Sequence, residues 1–188
     1  MHIINEYYHV YNRGAHKAPI FLDTSDYERF MCLLYAANDT HKLDFKKLKP
    51  NHMFLFTRST LVDIKAYCLM PNHFHLALKE KVENGIYTFI HKICTSYSTY
   101  FNHKYDHSGT IFQGQYKSKH VSDDNYFRYL IQYIHLNPYG IDEPDMTKDA
   151  RREYPVEAFE CSIRYVYSSF MDYVGTIRVQ GNILNRQG

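Results

Sequence analysis

The chain has 188 residues, with 22 lysines and arginines against 20 aspartates and glutamates, a formal net charge of +2. That is the length of one domain with room for a core, and 45% hydrophobic residues is an ordinary globular fraction. The near-balance of charge excludes a protein that is basic over its whole surface, so any nucleic-acid site must be a local patch.

The opening Met1-His2-Ile3-Ile4-Asn5-Glu6 lacks the basic-then-apolar form of a secretion signal. No apolar run approaches the ~20 residues that span a bilayer, so no membrane partner is expected. Cys32, Cys68, Cys94 and Cys161 are scattered without a Cys-x-x-Cys pair, which indicates neither a zinc knuckle nor a disulfide framework. A reducing, cytoplasmic setting is the expectation.

Tyr7 to Gly14 is aromatic and β-branched and closes on glycine, the pattern of a first strand. Asp23-Thr24-Ser25-Asp26 then offers helix caps. Tyr27, Phe30, Met31, Leu34 and Tyr35 follow at the spacing of one buried helix face. Residues 41–62 carry Lys42, Lys46, Lys47, Lys49 and Arg58 against Asp44. They read as a solvated insertion loop, with a phosphate-contacting loop as the alternative.

Leu61 to Met70 reads as a second strand and His73 to Lys79 as a third, joined in a hairpin by the turn-forming Pro71-Asn72. A helix from about Asn84 to Phe101 keeps Ile86, Phe89, Ile90, Ile93 and Tyr97 on one face. The glycine-punctuated Ser108 to Val121 favours a further strand. Its Lys117, Lys119 and His120 form either a DNA-backbone contact or a plain solvated edge. Ser122-Asp123-Asp124 caps a third helix with Phe127, Leu130, Ile131 and Ile134 as its buried stripe. Pro138 ends that helix and leaves Asn137 at or just past the last turn.

A charged connector from Asp142 to Glu153 leads to a segment with Phe159, Ile163, Tyr167 and Phe170 at about helical spacing. One domain over residues 1–175 and a loose tail over 176–188 are expected. The element order predicts an α+β domain, a ferredoxin-like or RRM-like antiparallel sheet with helices packed on one face.

The chemistry centres on Tyr67 to Leu78. Strand alternation puts His73 and His75 on the same face, where two imidazoles can grip one metal ion. The plainer reading is two sheet-face histidines in a chain that carries 12. On the third helix Tyr133 and Asn137 share a flank with Tyr126, and Tyr129 lies near it; spacing does not choose among the three tyrosines. The 19 tyrosines and 12 phenylalanines, without tryptophan, suit stacking on unpaired bases, although most such rings serve a core.

Met70-Pro71-Asn72-His73-Phe74-His75-Leu76 resembles the histidine–hydrophobe–histidine signature of the HUH nucleases, and in particular their REP-associated tyrosine transposases. Other blocks carry the same resemblance from about Tyr8 to Phe170: Asn12-Arg13-Gly14, Tyr100-Phe101-Asn102, Ser108-Gly109-x-x-Phe112-Gln113-Gly114, Tyr133-Ile134-x-x-Asn137-Pro138 and Tyr167-Ser168-Ser169-Phe170. The resemblance implies a metal-dependent single-stranded DNA endonuclease and strand transferase acting on hairpin-bearing DNA. Tyr133 is then the nucleophile that forms a 5′-phosphotyrosine, and His73, His75 and Asn137 hold Mg2+ or Mn2+. On this reading Arg13, Lys117, Lys119 and His120 are the candidate DNA contacts, chosen for their charge.

Asparagine at 137, where related transposases have glutamine, implies the single-chain branch: a monomer, with a dimer as the alternative, in a nucleoid-associated cytoplasmic setting. Two rival functions are a domesticated hairpin-binding protein that no longer cuts and a small-molecule metal hydrolase. The hydrolase would keep its turnover in Tyr133→Phe, because water rather than tyrosine would attack.

Overall fold

The computed structural model describes residues 2–42, 57–142 and 155–185. Strand β1 (Tyr7–Arg13) runs inside a four-stranded antiparallel sheet whose other strands are β2 (Val62–Met70), β3 (His73–Glu80) and β4 (Lys117–Val121). The order is β2-β3-β1-β4. β1 pairs with β3 from Tyr7 opposite Lys79 to Arg13 opposite His73, and with β4 from Tyr7 opposite Val121 to Tyr11 opposite Lys117. With α1 (Thr24–Ala36) after β1 and α2 (Gly85–Lys104) after β3, the chain has the expected ferredoxin-like α+β order.

Local chemistry sets the element boundaries. Asp23 caps α1 by accepting from the Ser25 and Asp26 amides, while the Asp26 carboxylate takes the Asp23 amide in return. The buried Glu80 carboxylate receives the Gly85 and Ile86 amides at 3.0 and 2.7 Å and so fixes the start of α2. Gly14 ends β1 because a Cβ there would collide with the Ala18 carbonyl.

Alternation along the strands divides the core in two. Tyr8, Val10, Phe74, Leu76 and Leu78 point to one face, where Phe30, Leu33 and Leu34 of α1 and Phe89, Ile93 and Tyr97 of α2 bury them. The Tyr97 hydroxyl donates to the Ile20 carbonyl. A register shift between Ile64 and Ala66 re-phases β2. Beyond it Tyr67 and Leu69 keep to this core, while Ala66, Cys68 and Met70 turn to the other face.

There α3 (Asp124–His135) seats Leu130 and Ile134 against Ala66, Cys68 and Ala77. The helices therefore lie on both faces of the sheet rather than on one. The small side chains on the second face leave a shallow seat that one helix can fill.

Two other expectations change. Only Lys117–Val121 of the glycine-punctuated segment pairs as a strand; before it, Phe112 makes an isolated bridge to Gly14, and Gly109 and Gly114 take φ of +107° and +78°. The C-terminal segment is not one helix. α4 (Tyr139–Asp142) follows α3, and α5 (Pro155–Arg164) stops before residues 165–169 run along the outer edge of β2. The Leu69 amide donates to the Tyr167 carbonyl at 3.0 Å and the Ser169 amide to the Tyr67 carbonyl at 3.0 Å. An edge strand's unpaired backbone groups outweigh the helical spacing.

α6 (Phe170–Tyr173) then leads into residues 176–185, which are anchored at two points although Ile177 and Val179 are exposed. Arg178 pairs with the buried Asp172 at 2.7 Å, and Ile183 is fully buried. The sequence hides this because the segment is mostly polar and its anchors are isolated.

Of the basic loop expected at 41–62, residues 43–56 lie outside the described residues. Arg58 belongs to the scaffold. Its guanidinium lies 3.5 Å from the centre of the Tyr35 ring and donates to the Tyr35 and Asn182 carbonyls. Among the described residues no helix is long and apolar enough to cross a membrane.

Candidate nucleic-acid and metal site

The second face of the sheet is covered by α3 only in part. Beyond Leu130 an open cleft of about 820 Å³ remains between α3, the β1–β3 pair and β4. Its floor is set by register: Arg13 lies opposite His73, Tyr11 opposite His75 and Lys117 opposite Tyr11. The arrangement brings His73, His75, Tyr133, Asn137, Arg13, Lys117 and Lys119 to one cleft. His120 is not among them. Alternation turns it to the other face of β4, where it meets Glu6 at 3.0 Å and the Tyr8 ring.

The two strand histidines sit edge to face, ring centroids 4.9 Å apart. His73 Nδ1 contacts the Asn72 side-chain oxygen at 2.6 Å, and His75 Nδ1 contacts Nε2 of His9 at 2.9 Å. With Nδ1 of each ring engaged in this way, Nε2 is the atom through which either would ligate a metal. That use of His75 requires its proton on Nδ1, donated to His9, and hence a neutral His9. His75 and His9 are both buried, so the ring orientations are held by packing as well as by the shared hydrogen bond.

Tyr133 projects from α3 over this floor, its ring centroid 5.4 Å from that of His75 and 5.7 Å from that of His9. One turn further, the Asn137 side-chain NH2 donates to the Tyr133 carbonyl at 2.7 Å. This bond fixes the amide so that Oδ1 is the atom left to act as an acceptor or ligand. The donor set is thus two imidazoles and one amide oxygen. Among the described residues no group of three or more histidine, cysteine, aspartate or glutamate side chains is arranged to hold a metal ion. Two imidazole nitrogens and an amide oxygen are donor types that fit a divalent ion with further ligands from solvent or phosphate.

Several residues of the cleft escape sequence reasoning. His9, Tyr11 and Gln113 line it beside the expected residues. A signal existed for the first two: Tyr7, His9 and Tyr11 alternate on one face of β1, but only the pairing of β1 with β3 reveals that His9 backs His75. Gln113 had no such signal, because it sits in the irregular run before β4, where its backbone N–H donates to the Arg13 carbonyl at 2.8 Å.

The cleft thus sets a tyrosine carried on a helix over a histidine pair on an antiparallel sheet, and the comparisons with known proteins bear on that arrangement. Residues 55–137, a little under half of the chain, match the family model described as Transposase IS200 like. That stretch contains His73, His75, Tyr133 and Asn137, and the resemblance to this family read from the motifs is borne out. A solved structure of a REP-associated tyrosine transposase bound to a REP hairpin is similar over 96% of this chain and 87% of that one. Its TM-score is 0.58 and its identity 12%, a likeness of fold. None of the curated proteins matches the chain.

Proposed function

We propose that the chain is a divalent-metal-dependent enzyme that nicks and rejoins single-stranded, hairpin-bearing DNA through Tyr133. The observation that carries this reading is the placement of the Tyr133 ring over the His75–His9 pair, with Asn137 one helical turn away. Lys117, Lys119 and Arg13 around the same cleft suit a phosphate backbone. The neighbouring transposase was solved with a REP hairpin, and a hairpin is the substrate proposed here.

His73, His75 and Asn137 would hold the ion, and His9 would orient His75. Mg2+ or Mn2+ suits the mixed nitrogen and oxygen donors together with phosphate. When bound, the ion would polarise the scissile phosphate and offset charge in the transition state.

The phenolic oxygen of Tyr133 attacks phosphorus, the bond to the 3′-oxygen breaks, and that oxygen takes a proton from solvent to leave as a 3′-hydroxyl. The phenolic proton is lost to solvent or to a neighbouring base. The product is a 5′-phosphotyrosine that keeps the ester bond, so a second 3′-hydroxyl can attack it and restore a phosphodiester. A single chain carries every residue invoked, so we propose a monomer acting in the cytoplasm at the nucleoid. A sedimentation mass of twice the chain would overturn the monomer.

The test uses 3′-labelled single-stranded DNA containing hairpins, with Mn2+ or Mg2+. A labelled protein band that survives denaturation, and is lost in Tyr133→Phe and His73→Ala, is the expected result. A band that persists in Tyr133→Phe would move the nucleophile to Tyr126 or Tyr129. Tight hairpin binding with no covalent band under any metal would favour a binding protein that does not cut.

A further inference from the structure

Three tyrosines stand in file along the cleft side of α3. The rings of Tyr126 and Tyr129 are near parallel, 19° apart with centroids 6.1 Å apart, and those of Tyr129 and Tyr133 are 11° apart at 6.4 Å. Their spacing of three and then four residues keeps them on one side of the helix. All three line the same cleft, and Tyr129 is 36% exposed. At the far end from Tyr133, the Lys119 ammonium sits 4.9 Å from the centre of the Tyr126 ring, and Lys117, two residues earlier on β4, lines the same cleft.

We propose that this file is a stacking track for single-stranded DNA, leading from the phosphate attacked by Tyr133 along α3 to Lys119. The inference rests on the DNA reading above and adds to it the path of the unpaired strand. Nucleotides stack about 3.4 Å apart, so one base between two rings needs a spacing of about 6.8 Å. The observed centroid separations of 6.1 and 6.4 Å set an upper bound on the gaps between planes, so admitting a base requires the exposed middle ring, Tyr129, to turn away from its half-buried neighbours. A strand with one base between Tyr133 and Tyr129 and the next between Tyr129 and Tyr126 would carry its phosphates past Lys117 and Lys119. Ring stacking with a cationic border is how sequence-tolerant single-strand sites are built. Duplex DNA has no unpaired base to offer the rings, so the track selects a hairpin with a single-stranded tail over a blunt one.

The rings also support one another along the helix, and the experiment separates that role from DNA binding. Affinity is measured by fluorescence anisotropy for a blunt hairpin, for the same hairpin with a single-stranded tail, and for a tailed hairpin with abasic spacers. The full chain is compared with Tyr129→Ala, Tyr126→Ala and Tyr129→Phe. The expected result is a loss of about tenfold for the tailed hairpin in each alanine variant. Blunt-hairpin affinity stays unchanged, Tyr129→Phe behaves as the parent, and the abasic tail removes the difference between parent and variants. An unchanged tailed-hairpin affinity in Tyr129→Ala, with or without a lower melting temperature, would overturn the track while leaving the DNA reading intact. A parent chain that binds no hairpin at all would overturn both.

Discussion

Residues that alternate along β1 enter two different environments. Tyr8 and Val10 are buried among the side chains of α1 and α2, whereas Tyr7, His9 and Tyr11 face α3 and the cleft. The first face is closed by two long helices and finished by a polar cluster at its rim. There the buried Asp26 accepts hydrogen bonds from Lys104 at 2.8 Å and from Tyr105 at 2.7 Å. The second face is closed by one helix over small residues, which leaves room beside it for histidines, tyrosines and cations. The larger apolar core thus lies on one side of the sheet and the candidate site on the other. Substitutions on the two faces should have separable effects.

The largest expected effect tests the open face alone. Tyr133→Phe removes one oxygen from a half-buried ring, so the melting temperature and hairpin affinity should stay within error of the parent. Formation of the covalent DNA complex should fall by on the order of 10⁴-fold or more, as it does when a nucleophile is deleted. A comparable drop in melting temperature would show that the two faces are not separable.

Asp26→Ala tests the closed face. It removes the buried one of the two carboxylates that Lys104 and Tyr105 share, leaving them Asp23, takes the acceptor from the Leu22 amide and the Tyr100 hydroxyl, and removes half of the α1 capping box, for a cost of about 2 kcal/mol. Hairpin affinity below the melting transition should not change. Burial raises the Asp26 pKa, but the bonds from Lys104, the Leu22 amide and Tyr105 more than offset this and hold it below the ordinary carboxylate value. The unfolded chain therefore binds that proton more readily than the folded one. The stabilisation is fully present above the unfolded pKa of about 3.9 and is lost as pH falls below it. The gap in melting temperature between parent and Asp26→Asn should accordingly narrow as pH drops through 4, and a gap independent of pH would show that the carboxylate is not the stabilising group.

His9→Gln probes a residue that belongs to both regions: it lies in a scaffold strand and touches His75. If His9 fixes the tautomer and orientation of His75, Mn2+ affinity measured by calorimetry should fall by about 10- to 100-fold, with the melting temperature of the metal-free protein little changed. Unchanged Mn2+ affinity would reduce His9 to a packing residue.

The two faces also differed in how far they could be read from the sequence. The strands and helices of the closed face follow from periodicity and caps, and Asp23 and Asn84 mark the helix starts as expected. For the site, His73 and His75 follow from alternation on β3, but Tyr133 was one of three tyrosines on a flank until the family block singled it out. That α3 crosses the opposite face was not legible, because it depends on Ala66, Cys68 and Ala77 being small together. Two of the three are brought to that face by the register shift in β2. The course of residues 165–169 was hidden for a related reason. Phe159, Ile163, Tyr167 and Phe170 keep helical spacing, and only the open edge of β2 explains why the chain pairs there instead.

The smallest effect expected comes from neighbouring residues that the strand sends to opposite faces. Lys119 and His120 were equally good phosphate contacts by sequence, yet Lys119 borders the cleft over Tyr126 while His120 lies against Glu6 and Tyr8. Each phosphate contact releases about one counterion, so Lys119→Ala should lower the slope of log affinity against log salt by about 1 for hairpin DNA. The loss should be the same whatever the sequence of the stem, since a phosphate contact reads no base. His120→Ala should leave the slope where it is, because its partner is a glutamate on the far side of the sheet. Equal slopes in the two variants would mean that DNA wraps the edge of β4 and touches both faces, and the division of labour between them would fail at that strand.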